Sequence, residues 1–152
     1  MATQTGSVLD MLRKEKLGAT PERITVANVS VEKGIEGDAR GKIKDAQITL
    51  ISKLSWDAAM ADLQPTEDVS WAARRANIFV DGIDLNESTG ARVTIGEVEL
   101  EVMSETEPCD TMDKAYQGLK DALMPDWRAG CRTRVLKGGV INVGDPVIME
   151  RD

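Results

Sequence analysis

The chain has 152 residues, enough for one hydrophobic core without covalent staples, and carries a formal net charge of −7. Such acidity argues against a nucleic-acid or anionic-membrane partner, because both require Lys and Arg massed on one face. With no histidine and only two cysteines, the sequence excludes Ser-His-Asp and Cys-His catalysis, histidine-zinc sites and a four-cysteine zinc site within the chain.

In the N-terminal stretch, Arg13, Lys14 and Lys16 follow the short apolar cluster Met11-Leu12, an order opposite to that of a secretory signal. Two cysteines fit free thiols in a reducing compartment, so a cytoplasmic address is expected. No run approaches the roughly 18 apolar residues of a membrane span, so no membrane association is expected.

Val8, Met11 and Leu12 recur at i, i+3, i+4, which predicts a short helix over Ser7–Lys16, closed by Gly18 and Pro21. Residues 1–22 are therefore expected as an N-terminal appendage to one domain spanning 23–152. From Arg23 to Glu32, Ile24, Val26, Val29 and Val31 give a strand pattern with a slip at Ala27-Asn28, which predicts a bulge. A glycine-rich loop, Lys33 to Lys44, follows. Ala46, Ile48 and Leu50 alternate as a strand, and Trp56, Ala59, Met60 and Leu63 fall at helical spacing until Pro65. Asn77 to Val80 reads as a short strand. Val93 and Ile95, then Gly96-Glu97, then Val98, Leu100 and Val102 predict a β-hairpin on a two-residue turn. Ala115, Leu119, Ala122 and Leu123 mark an amphipathic helix ended by Pro125. Strands over Cys131–Leu136, Val140–Val143 and Val147–Met149, separated by Gly138-Gly139 and Gly144-Asp145, complete the chain.

Seven or eight strands and two or three helices, without strand-helix alternation, predict a mostly β (α+β) fold. A closed or half-closed antiparallel barrel flanked by the helices suits so many short strands, because closure removes exposed edges.

Four segments carry a family resemblance: Gly34-Ile35-Glu36-Gly37-Asp38; Arg75-Ala76-Asn77-Ile78 with Gly82-Ile83-Asp84-Leu85; Pro108-Cys109; and Gly138-Gly139-Val140-Ile141-Asn142-Val143-Gly144-Asp145. In order and spacing, from Ile24 to Glu150, they resemble the MOSC family, named after the C-terminal part of molybdenum-cofactor sulfurases. The resemblance implies an antiparallel MOSC-type β-barrel that handles sulfur or the molybdenum cofactor, with the family's cysteine at Cys109. Relatives include sulfur-delivery domains fused to pyridoxal-phosphate desulfurases and molybdenum-dependent reductases of N-hydroxylated compounds. A carrier uses the thiolate as sulfur acceptor, whereas a reductase uses it as a soft molybdenum ligand, so Cys109 is the candidate catalytic and metal-ligating residue.

Arg75, Asn77, Arg40 and Asp38 are the candidate cofactor-binding residues: an arginine suits a phosphate and an asparagine a pterin edge. The structural alternatives are a salt bridge for Arg75, a cap for Asn77 and backbone bonding within turns for Asp38 and Asp145. Arg74, Arg128, Arg132 and Arg134 would complete an anion pocket only by converging in space; scattered arginines in an acidic protein pair on the surface. Cys131 is read as packing, and Asp81, Asp84 and Glu87 as a solvated turn lacking the ligand pattern of a calcium loop.

Two departures from the family pattern stand out. Arg40 occupies the position of a frequent histidine, and Glu105 and Glu107 precede Cys109, where like charge is expected to raise the thiol pKa. Three readings follow: a sulfur-handling, cofactor-related domain served by a sulfur donor such as a cysteine desulfurase; a molybdenum-cofactor-dependent reductase, which would require a separate electron-donor protein; and a non-catalytic binding domain with a degenerate site.

Overall fold

The alternating apolar residues form eleven strands among the described residues, which in the computed structural model are 2–151. In order these are β1 (Ala2–Arg13), β2 (Glu22–Ile24), β3 (Val26–Ser30), β4 (Gly34–Ile35), β5 (Ile48–Ser52), helix α1 (Lys53–Leu63), a 3-10 turn (Trp71–Arg74), β6 (Ile78–Val80), β7 (Arg92–Ile95), β8 (Val98–Glu105), α2 (Thr111–Ala115), α3 (Leu119–Ala122), a second 3-10 turn (Pro125–Trp127), β9 (Cys131–Lys137), β10 (Gly139–Asn142) and β11 (Pro146–Arg151).

Seven strands close a barrel in the order β1-β11-β7-β8-β9-β5-β6, β6 returning to β1. Neighbours are antiparallel except β5 and β6. A parallel pair needs a crossover connection, which α1 and the Trp71–Arg74 turn supply on the outside of the barrel. Strand β2 extends β1 beyond the barrel, and β10, β3 and β4 form a separate small sheet. The predicted antiparallel MOSC-type barrel with flanking helices is the observed architecture, with this one parallel pair in it.

The expected helix over Ser7–Lys16 does not form. Residues 7–13 lie in β1, which pairs with β11, β6 and β2, so residues 2–13 close the barrel, and 14–16 follow it without helix. The apparent helical spacing has two physical sources. A register shift between Val8 and Asp10 lets Val8 and Met11 both face the barrel interior, and Leu12 points the opposite way, under the helices.

Two apolar clusters result. One fills the barrel, with Met11, Leu50, Ile78, Leu100 and Val147 among its fully buried members. The other lies between the barrel wall and the helices and includes Leu12, Ile51, Trp56, Trp71, Leu119 and Leu123. All five residues of β5 are buried because this strand is covered on both faces, with Ile48 and Leu50 inward and Ile51 outward. Ser52 caps α1 by accepting from the Ser55 N–H, and Gln64 in the left-handed region ends it just before Pro65. The single helix predicted around Leu119 is two short ones, broken where Tyr116 is extended and Gly118 adopts φ 94°.

At the start of β9, Gly130 is required by close approach. Its φ is +96°, and a Cβ there would lie 1.9 Å from the Leu50 carbonyl oxygen.

Candidate functional site

Along the strands facing the helical layer, one parity of residues points outward. Leu12 and Ile51 pack under the helices, whereas Lys14, Thr49 and Arg132, on the same parities or cross-strand to them, line a cleft at the seam between wall and helices. The cleft holds about 420 Å³.

Asn77 forms its floor. Its Oδ1 accepts from the Thr49 N–H at 2.9 Å and the Thr49 hydroxyl at 3.1 Å, and its Nδ2 donates to the Leu12 carbonyl at 3.2 Å. One buried amide therefore ties β1, β5 and β6 together.

The walls are basic. Lys14, Arg40, Arg74, Arg75 and Arg132 line the cleft, with Glu107 as the one carboxylate among its lining residues. Among the described residues none of these five cations is in a salt bridge, whereas Arg13, Arg23, Arg92, Arg128 and Arg134 each hold a carboxylate. A protein of charge −7 thus places four arginines without carboxylate partners around one cavity, and Arg151, the other such arginine among the described residues, donates to the Asn86 carbonyl elsewhere. Of the arginines considered from sequence, Arg40, Arg74, Arg75 and Arg132 converge. Arg128 pairs instead with Asp62 at 2.6 Å, and Arg134 with Glu101 at 2.6 Å.

Each cation is placed by a local device. The Trp71–Arg74 turn is capped by Ser70 and pinned to the wall by Trp71, whose indole N–H donates to Asp10 at 2.8 Å and whose ring stacks on Phe79 at 5.0 Å. This buries Arg74, leaving it 7% exposed; its Nε donates to the Ala129 carbonyl at 2.6 Å, and its buried Nη2 has no partner. An orphaned donor of this kind costs roughly 1–3 kcal/mol and is uncommon in native folds. Burial lowers the Arg74 pKa to about 10, a shift opposed by the nearby Cys109, so the group stays cationic at neutral pH. Arg75 ends the turn at φ 62°, a strained conformation for a residue with a Cβ. Asp38 stands behind the cleft: its carboxylate accepts from the Lys14 N–H at 2.8 Å and the Arg40 N–H at 3.2 Å, clasping the glycine-rich loop to the end of β1. Asp38 thereby positions two cations.

Cys109 is exposed at the cleft, in the segment between β8 and α2. The Thr111 hydroxyl, then the Thr111 N–H, stabilise its thiolate, and Arg74 adds to them. Burial and Asp110 oppose the shift, and the net direction is downward. The expectation that the preceding carboxylates would raise this pKa is therefore corrected: the opposing influences are burial and Asp110, and the hydroxyl, the N–H and the arginine outweigh them. Cys131 is fully buried in the barrel, and burial pushes its thiol up to about 12. It has the packing role expected of it.

Lys14, Thr106 and Thr111 are among the lining residues that escaped the sequence reading. Lys14 was hidden by the helical reading of β1, whose true parity puts it on the face of Leu12. Thr106 contributes a second buried, unpartnered polar atom, its hydroxyl, to the lining. Thr111 has no signal in sequence beyond its place after the cysteine. Elsewhere the acidic turns serve the fold: Asp81 accepts from the Ser7 N–H and hydroxyl, Asp84 from the Asn86 N–H, and Asp145 from the Asn142 N–H.

The chain belongs to the MOSC domain family, whose model matches residues 14–148. That family is associated with molybdenum-cofactor-related functions. No curated protein matches the chain in sequence. Among solved structures, the YuaD protein from Bacillus subtilis is similar in fold, with a TM-score of 0.83 at 15% identity and 99% of each chain covered. YiiM from Escherichia coli is similar with a TM-score of 0.69 at 16% identity, over 96% of this chain and 70% of that one. YiiM from Geobacillus stearothermophilus gives 0.67 at 16% identity, over 99% and 76%. Among the described residues no helix is long and apolar enough to cross a membrane.

Proposed function

We propose that this domain handles sulfur in molybdenum-cofactor chemistry, with Cys109 as the working thiolate and the cleft cations as the seat of an anionic ligand. The observation that carries the reading is the buried Arg74, its Nη2 unpartnered, lining the same cleft as the exposed Cys109.

The residues fit the cofactor. Its phosphate matches Arg74, Arg75, Arg132, Arg40 and Lys14, and a soft metal centre matches a thiolate whose pKa is lowered. When bound, the cofactor would supply a redox-active metal with open or sulfur-filled ligand positions. The protein's own part is to bind and orient: Asn77 fixes the floor, Asp38 holds Lys14 and Arg40 in place, and Thr111 with Arg74 shifts the Cys109 thiol towards its thiolate. As a carrier, the Cys109 thiolate attacks the outer sulfur of a donor persulfide; a new S–S bond forms at Cys109, the donor's S–S bond breaks, and its electron pair leaves on the donor thiolate. A cysteine desulfurase is the donor class this step calls for. The alternative of a non-catalytic domain is disfavoured by a thiol that its neighbours activate.

Elemental analysis of protein from molybdenum-replete cells, with intact mass before and after a thiol reductant, tests the reading in wild type and Cys109→Ser. Molybdenum lost in the variant, or a reductant-labile sulfur adduct present only with Cys109, is the expected result. Neither signal in the wild type would overturn it.

A further inference from the structure

The cleft contains a nucleophile besides Cys109. Lys53 and Lys120 are tied to carboxylates, at 2.6 Å to Asp57 and 2.8 Å to Asp110. The Lys14 ammonium has no hydrogen-bond or salt-bridge partner among the described residues, because Asp38, the carboxylate beside it, spends its oxygens on the backbone N–H groups of Lys14 and Arg40. Lys14 lies instead among Arg40, Arg74 and Arg75 in a half-buried setting.

We propose that Lys14 is a covalent acylation site for acyl phosphates, with the cleft arginines seating the phosphate and the Lys14 amine attacking the acyl carbon. The inference rests on the reading of the cleft as an anion site. The orphaned Nη2 of the deeply buried Arg74 is the independent sign that an anion belongs there. Burial, then Arg40, lowers the Lys14 pKa; Arg75 and Arg74 act in the same sense and Asp38 opposes them, so the neutral amine is more accessible than on an ordinary lysine. In the reaction the amine lone pair forms a C–N bond to the acyl carbon. The C–O bond to phosphate breaks with its electron pair, and the nitrogen's proton leaves on the departing phosphate. No oxidant or further reactant is required. The product is a neutral amide in place of one cleft cation, so acylation weakens the hold on any anionic ligand and makes Lys14 a control point for the site.

The experiment incubates the full chain with acetyl phosphate and follows acetylation at each lysine and at Cys109 by peptide mass, with and without hydroxylamine, which removes thioesters. Wild type is compared with Lys14→Arg and Arg74→Met. Because Arg74 is buried, the half-buried Arg132→Gln is carried in parallel. Preferential acetylation of Lys14, about tenfold faster than Lys53, slowed by inorganic phosphate and by loss of either arginine, is the expected result. Equal rates at Lys14 and Lys53, or an acyl group found only as a hydroxylamine-labile adduct on Cys109, would overturn it. Calorimetry with inorganic phosphate separates the two claims. Phosphate binding without Lys14 preference refutes the acylation site alone, and no binding with no preference refutes the anion site as well.

Discussion

At the scale of single residues, the cleft depends on side chains whose needs the fold leaves unmet. Arg74 gives up hydration and keeps one donor without a partner, and Thr106 does the same with its hydroxyl. Cys109 shows the effect on chemistry. The largest influence on its thiolate comes from Thr111 and the next favourable one from Arg74. The alkylation rate of Cys109 should therefore reach half its maximum at a pH below that of an ordinary thiol, since only the thiolate reacts. Thr111→Val should move that midpoint upward, and Arg74→Met should do so by less. A midpoint that neither variant moves would show that these groups do not tune the thiol. The cysteine was legible in the sequence because Pro108-Cys109 is a short motif in a fixed place. Its environment was not: the carboxylates at 105 and 107 are near in sequence, whereas the arginine that counts is 35 positions away and reaches the cleft only through the fold.

At the scale of elements, the hairpin of β7 and β8 and the strands β5, β9 and β11 follow from alternation, which is a local signal. The first strand defeated that signal. It carries a register shift and buries residues on both faces, so its apolar spacing imitates a helix turn. Reading it as a helix also hid Lys14, because the parity that sends Lys14 into the cleft exists only in a strand. Met11, fully buried in the barrel, makes the difference measurable. In a barrel strand Met11→Ala should cost about 2–5 kcal/mol in denaturant unfolding, whereas a surface appendage would lose less than about 0.5 kcal/mol. The Trp71–Arg74 turn was likewise invisible, since beyond its Ser70 cap it is pinned by contacts of Trp71 with Asp10, 61 positions away, and with Phe79 on the next strand.

At the scale of the whole molecule, charge is distributed against the average. The net charge of −7 predicts a surface that repels anions, yet four arginines without carboxylate partners gather at the cavity that also presents the exposed Cys109. A focused positive field inside an acidic protein admits anions to a specific place and discourages them elsewhere. The claim that cleft and thiol form one anion-binding thiolate site is tested most directly by the rate of Cys109 alkylation with anionic iodoacetate against neutral iodoacetamide. Cys131, buried and with its thiol pKa raised to about 12, does not compete. The account predicts that iodoacetate is favoured in the wild type, and that its advantage falls about tenfold in Arg132→Gln or Arg74→Met and with added salt. Iodoacetate slower than iodoacetamide in the wild type, with a ratio unchanged by either variant, would contradict it.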